Sequence, residues 1–167
     1  ERLFHIFGVI YWNFLLGASF RYWKTKHDRH HANPNQIGAD PDLGAPFVFS
    51  EVQAGRVGAI KRWFSRYQKV YFFLALALAY FSVAGFSARF LLREKLTPAI
   101  AAEWLFYLAH FAVYFLLLGS FLPLERLILL TLVHYISMGA YLGLIFAPNH
   151  KGLRIFRERE NFPYAYR

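Results

Sequence analysis

The sequence predicts an all-α fold, namely part of an integral membrane helical bundle. A histidine-rich helical cap is expected on the cytosolic side of this bundle. Hydrophobic residues make up 57% of the chain and charged residues 17%, whereas soluble domains average about 45–50% and about 25%. Long apolar runs cover residues 70–92, 104–122 and 127–147. Apolar runs of about 20 residues are long enough to cross a bilayer as helices.

The charge distribution favours a membrane as the partner of this chain. Its net charge is +9, but the basic residues lie in short clusters beside the apolar runs, as in loops on the cytosolic side of a membrane. We therefore expect no nucleic-acid partner. The sequence has no cysteine, which excludes a disulfide framework and a zinc–thiolate site within it.

The segments before the first long apolar run are mixed in character. Residues 3–20 are apolar and aromatic, but His5 and Asn13 interrupt them, so a spanning helix and a half-buried interfacial helix both fit. Residues 32–58 are rich in Asn, Pro, Gly and Asp, which predicts a loop. In residues 56–69 basic and aromatic side chains are interleaved, which predicts an amphipathic approach to the bilayer surface.

The three long runs leave the number of membrane crossings open. If His31 and His150 serve one site, an even number of crossings must separate them. We expect residues 70–90 and 127–147 to cross, with residues 104–122 shallow or re-entrant. The alternative pairs the first two runs as a hairpin and lays the third along the cytosolic surface.

Three histidines stand alone in apolar segments: His5, His110 and His134. Ionisable residues within membrane segments usually face the bundle interior and are often functional. For these isolated residues we expect packing and hydrogen bonds to neighbouring helices rather than metal binding.

A cluster of three histidines, His27, His30 and His31, is the strongest chemical signal in the sequence. Positions i, i+3 and i+4 share one face of a helix, so the three imidazoles can point at a common centre. Neutral imidazole binds iron, copper, nickel and zinc. Asn33 and Pro34 predict that the helix ends directly after the cluster, because proline restricts the residue before it.

Two acidic residues, Asp40 and Asp42, follow the cluster in an Asp-Pro-Asp turn. Turn chemistry alone accounts for them as solvated, capping carboxylates. The alternative is that they orient the imidazoles from the second coordination shell, since ligating histidines often donate their other N–H to a carboxylate.

Residues 23–43, WKTKHDRHHANPNQIGADPDL, resemble the second histidine box of membrane fatty acid desaturases, most closely the bacterial acyl-lipid and front-end (linoleoyl-CoA-type) branch. Residues 146–152, FAPNHKG, resemble the same branch. The resemblance implies His27, His30, His31 and His150 as iron ligands. It also implies Asn149 as a water-mediated or second-shell partner.

The same resemblance implies an oxidoreductase that uses two iron ions and molecular oxygen to introduce a cis double bond into an acyl chain. The chain would be linked to lipid or to CoA, and an external donor such as cytochrome b5 or ferredoxin would supply electrons. It further implies a multi-pass membrane protein with its active site on the cytosolic face.

The family's first histidine box, of the HxxxH type, and its third, QxxHH, are missing from residues 1–167. We therefore expect an internal piece of a longer protein, one partial desaturase domain that is inactive alone. Two other functions stay open: a membrane di-iron hydroxylase or ketolase of alkanes, sterols or carotenoids, and an inactive or metal-sensing membrane fragment. Zinc is the rival metal, since three histidines and an open position suit it.

Overall fold

The computed structural model describes residues 2–44, 47–48, 53, 55, 57–146 and 155–156. Within these residues the regular structure is helical, apart from one isolated parallel bridge between Gln36 and Phe156. The α-helices in chain order are α1 (Arg2–Val9), α2 (Phe20–Ala32), α3 (Ala59–Ser65), α4 (Gln68–Ala77), α5 (Ala79–Arg93), α6 (Pro98–Gly119) and α7 (Leu124–Phe146). A π-helical segment, Ile10–Leu15, continues α1, and a 3-10 turn, Pro41–Gly44, follows α2. The predicted all-α class is confirmed.

Helices α6 and α7 are each long and apolar enough to cross a membrane. Their 22 and 23 residues give lengths of about 33–35 Å, against a hydrocarbon core of about 30 Å. Large apolar side chains on both helices are exposed, among them Leu105, Leu116, Leu129 and Val133. An exposed apolar surface on a helix of this length is what contact with lipid requires.

The segment predicted as one crossing, residues 70–92, is broken in the structure. Helices α4 and α5 meet at Leu78 with a bend of 65°, and only together are they long enough for a span. Residues 104–122, expected to lie shallow, are instead mostly within the unbroken helix α6. By length and composition, α6 and α7 can each cross alone and residues 68–93 can cross as a bent pair, so the predicted pattern of crossings stays a prediction.

The break between α4 and α5 lies against the neighbouring helix α7. Residues 70–78 contain neither proline nor glycine, so the local sequence gives no signal for it. Gly139 of α7 lies directly against the Ala77 carbonyl, so closely that a Cβ atom there would be 2.2 Å from its oxygen. The backbones of α7 and the broken segment thus approach each other where a side chain would not fit.

Two groups of buried side chains join α5, α6 and α7. Tyr80 of α5 stacks on Tyr135 of α7, with parallel rings whose centroids are 4.4 Å apart. Towards the other end of α5, Leu91 packs against Ile100 and Tyr107 of α6. Helix α5 is therefore joined to α7 near its start and to α6 near its end.

Distant parts of the chain return to the loop that follows α2. The backbone N–H of Ile37 donates to the Phe156 carbonyl (3.0 Å), and the Phe156 N–H donates to the Asn35 carbonyl (2.9 Å). The side chain of Gln68, the first residue of α4, forms a two-way amide pair with the backbone of Val48. Phe156 therefore lies beside the Asn35–Ile37 segment that follows α2, and the start of α4 lies beside Val48.

Replacing Gly139 by alanine is expected to destabilise the protein by about 1–3 kcal/mol, because the added methyl group overpacks the contact with Ala77. Gly85 is the matched control, since it is exposed on α5 and a Cβ there meets nothing within 4 Å. Gly85→Ala should leave stability equal or raise it by up to about 1 kcal/mol. Thermal unfolding in detergent checks both, and equal stability of the two variants would contradict the packing argument.

Candidate metal centre

Helix α2 carries the three clustered histidines and begins immediately after a sharp turn. Ser19 caps it by accepting a hydrogen bond from the Tyr22 N–H at 3.1 Å. The axis of α2 is bent by 112° from the preceding Leu3–Leu15 helix. Because α2 is polar and turns away so sharply, we place it outside the apolar layer formed by α6 and α7.

Two of the three imidazoles converge. The Nε2 atoms of His27 and His31 are 3.1 Å apart, and the ring centroids are 4.4 Å apart. This is the consequence of i, i+4 spacing on one helical face. The side chains of His27 and His31 are therefore close enough to share a centre, as their spacing in the sequence predicts.

The third imidazole, His30, is held by a buried carboxylate. Its Nδ1–H donates to Asp40, at 2.9 Å from Oδ1 and 3.0 Å from Oδ2, and the Asp40 side chain is only 1% exposed. A carboxylate partner on Nδ1 leaves the lone pair of the neutral ring on Nε2. Asp40 thus selects which nitrogen of His30 can bind a metal.

Asp40 also builds the turn that brings it back to α2. Its Oδ2 accepts from the Asn35 N–H at 2.7 Å, and its Oδ1 accepts from the Asp42 N–H at 2.8 Å. Asn35 has a φ of +58°, and Gly38 a φ of +87°, both in the left-handed region that turns use. The two sequence interpretations of Asp40, turn former and imidazole partner, describe the same side chain.

Asp42 is placed differently from Asp40. Its side chain is 41% exposed and pairs with the Lys26 ammonium at 2.5 Å, and its Oδ2 lies 3.5 Å from Nδ1 of His30. Among the described residues, the group formed by His30, Asp40 and Asp42 is close enough together to hold a cation. Since Asp40 already accepts two backbone N–H groups and the imidazole, we interpret it as orienting His30 rather than as a metal ligand.

The surroundings of His27 favour its neutral form. Burial lowers the pKa of His27, and the nearby imidazoles of His31 and His30 lower it further. Its ring stacks on Trp23, with centroids 4.7 Å apart, and Trp23 stacks in turn on Trp12. An unprotonated imidazole is the form that binds metal ions.

The isolated histidines have protein partners instead. His110 donates from Nδ1 to the Phe14 carbonyl (2.8 Å), and its Nε2 lies 3.2 Å from the Tyr135 hydroxyl. His134 hydrogen-bonds the Tyr114 hydroxyl at 3.1 Å, and His5 packs edge-on against Phe20. These contacts agree with the packing roles expected for them.

Two of the predicted site residues, Asn149 and His150, lie outside the described residues.

Sequence reasoning missed a buried polar network at the other end of α2. Glu103 of α6 is fully buried and accepts hydrogen bonds from the side chains of Ser19 (2.6 Å), Asn13 (3.3 Å) and Arg21 (3.2 Å). A signal was present, since Glu103 is the only charged residue between Pro98 and Gly119. Charged residues inside apolar membrane segments are rare and functional by default.

Comparison with known proteins identifies the family. The family model "Fatty acid desaturase" matches residues 1–167. The chain belongs to the fatty acid desaturase family. Among curated desaturases, it is 33% identical over 79 residues to the Delta(8)-fatty-acid desaturase of Euglena gracilis. It is 32% identical over 95 residues to the Delta(6)-fatty-acid desaturase fat-3 of Caenorhabditis elegans.

These matches cover 46% and 53% of the chain but only 19% and 21% of the two relatives. The chain thus spans about a fifth of the length of the curated relatives it matches. No solved structure gives a significant match.

Changing Asp40 to asparagine is expected to destabilise the loop by about 1–3 kcal/mol, because a buried acceptor of three hydrogen bonds becomes partly a donor. Asp42→Asn removes a half-exposed ion pair with Lys26 and a longer contact with His30, and it should cost less than about 1 kcal/mol. Thermal unfolding of both variants in detergent tests this, with amide hydrogen exchange at Asn35 as a local readout. Equal losses from the two substitutions would refute the distinction between the carboxylates.

Proposed function

We propose that this chain is the part of an oxygen-dependent fatty acyl desaturase that carries the second histidine box. His27, His30, His31 and His150 are the proposed iron ligands of a di-iron centre. The observation that carries the proposal is the convergence of the His27 and His31 Nε2 atoms beside an Asp40-oriented His30, in a chain of the desaturase family.

The donor set fits a metal ion. Metal–imidazole nitrogen bonds are about 2.0–2.1 Å long, so two such nitrogens on one ion lie about 3 Å apart. The His27 and His31 nitrogens are separated by 3.1 Å. Imidazole ligands suit iron, and the carboxylate on His30 fixes the tautomer and the orientation of that ring. The family favours iron over zinc, because desaturation requires a redox-active metal.

Covalent reach supports the role of His150. His150 precedes Phe156 by six positions in the sequence, and an extended chain spans at most about 3.3–3.6 Å per residue. Because Phe156 contacts the backbone of Asn35 and Ile37, this short connection permits His150 to reach the loop after α2. Asn149, its neighbour, is the proposed water-mediated or second-shell partner.

The proposed reaction converts a –CH2–CH2– pair into a cis –CH=CH– unit. Dioxygen takes up the two substrate hydrogens, together with two electrons from an external donor and two protons from solvent, and leaves as two water molecules. Activation of oxygen is the chemistry that bound iron would supply, since protein side chains cannot do it. This chain's own part is to hold neutral imidazoles, to fix the His30 tautomer through Asp40, and to provide apolar helices beneath.

The proposed substrate is a fatty acyl chain linked to lipid or to CoA. The names of the matched relatives, Delta(8)- and Delta(6)-fatty-acid desaturases, support the front-end branch of the family. Exposed apolar surfaces on α6 and α7 support a multi-pass membrane setting. The proposed location of the histidine-bearing end is the cytosolic face. Cytochrome b5 or ferredoxin is the proposed electron donor.

We further propose that residues 1–167 form a single partial domain, completed by histidine boxes outside them. Four proposed ligands are too few for two iron ions that must also bind oxygen. The isolated segment should therefore be inactive.

In the complete protein, His30→Ala should abolish desaturation and lower the iron content, because it removes a ligand whose orientation Asp40 sets. His5→Ala is the control, since His5 contacts only the edge of Phe20 among the described ring contacts. Fatty acid profiling and iron analysis of membrane-inserted protein measure the two effects. Product formation by the His30 variant at the level of the control would rule out the ligand role.

A further inference from the structure

Glu103 receives hydrogen bonds from both sides of the turn that precedes α2. Its Oε2 accepts from Ser19 Oγ at 2.6 Å and from Asn13 Nδ2 at 3.3 Å, and its backbone carbonyl accepts from the same Asn13 amide at 3.1 Å. Asn13 belongs to the π-helical segment, whereas Ser19 is the residue that caps α2. One side chain of α6 therefore joins the two arms of the 112° bend.

The carboxylate also acts on the first turn of α2 itself. Its Oε2 lies 3.4 Å from the Arg21 N–H, and its Oε1 is 3.2 Å from Arg21 Nε. The first N–H groups of a helix lack intrahelical partners and carry a partial positive charge. Glu103 is thus a capping acceptor supplied to α2 by another helix, and it is completely buried.

The contact of Glu103 with the start of α2 affects the imidazoles because they lie far along the same helix. His27 and His30 lie about 12 Å and about 16 Å along the helix from Ser19, at 1.5 Å per residue. A rotation of about 10° at the capped end would move them by about 2–3 Å, which exceeds the tolerance of a metal–nitrogen bond.

We propose that Glu103 is the positioning residue of the metal centre, and that it sets the direction in which α2 presents His27, His30 and His31. The inference rests on the proposed function, because it takes those histidines as iron ligands. Glu103 touches neither imidazole nor substrate, and it acts through Ser19, Asn13 and Arg21.

Tyr22 offers a competing support for α2. Its ring lies 5.9 Å from that of Phe90 on α5. If this aromatic contact alone fixes α2, loss of the Glu103 carboxylate leaves the helix direction unchanged.

The test uses the complete protein in detergent or nanodiscs, on an otherwise cysteine-free background. Spin labels at Thr25→Cys on α2 and Leu116→Cys on α6, both exposed, report the distance between the two helices. Glu103→Gln keeps the side-chain size but removes the charge, and Glu103→Asp keeps the charge. Glu125→Gln, an exposed residue in the first turn of α7, is the matched control.

We expect Glu103→Gln to shift or broaden the distance distribution and to weaken iron retention about tenfold, the lower end of the range for groups that orient ligands. Glu103→Asp should restore part of both readouts, and Glu125→Gln should change neither. An unchanged distance distribution in Glu103→Gln overturns the inference, whatever the iron content. A shifted distribution with iron retained at the Glu125→Gln level also overturns it. Iron that is unaffected by His30→Ala would instead refute the proposed ligand set.

Discussion

Helix α2 is held between two buried carboxylates that come from different parts of the chain. Glu103, from α6, accepts hydrogen bonds at the start of the helix, and Asp40, from the following loop, binds His30 in its last turn. A polar helix gains little from burial against apolar neighbours, so its placement needs specific polar contacts. The two carboxylates supply these contacts at opposite ends, which leaves the imidazole face between them in a defined direction.

Close packing at Gly17 allows the start of α2 to contact Glu103. Gly17, in the turn before α2, has a φ of +65°, and a Cβ there would lie 2.4 Å from the His110 ring. Glycine alone tolerates both the left-handed backbone and the contact. The turn can therefore lie flat on α6, which brings Ser19 within hydrogen-bonding distance of Glu103.

The parts of the site that could be predicted are those that depend on local spacing. The approach of His27 and His31 follows from helical periodicity, and the end of α2 at Asn33 follows from the proline after it. The pairing of His30 with Asp40 is one of two interpretations that the sequence allows, because it requires the loop of residues 33–39 to close in one particular way. The break at Leu78 was not predictable, since residues 70–78 contain no proline or glycine and the close contact there is with the neighbouring helix α7.

The histidines of this chain are best distinguished by what their second nitrogen does. His110 has protein groups on both nitrogens, because it donates to the Phe14 carbonyl and its Nε2 meets the Tyr135 hydroxyl. It ties the π-helical segment, α6 and α7 together, and metal binding there would break one of these bonds. In His30 the carboxylate of Asp40 accepts from Nδ1, which places the lone pair of the neutral ring on Nε2. The same residue type thus ties helices together where its partners are a backbone carbonyl and a hydroxyl, whereas the buried anion beside His30 fixes the tautomer and the orientation of that ring.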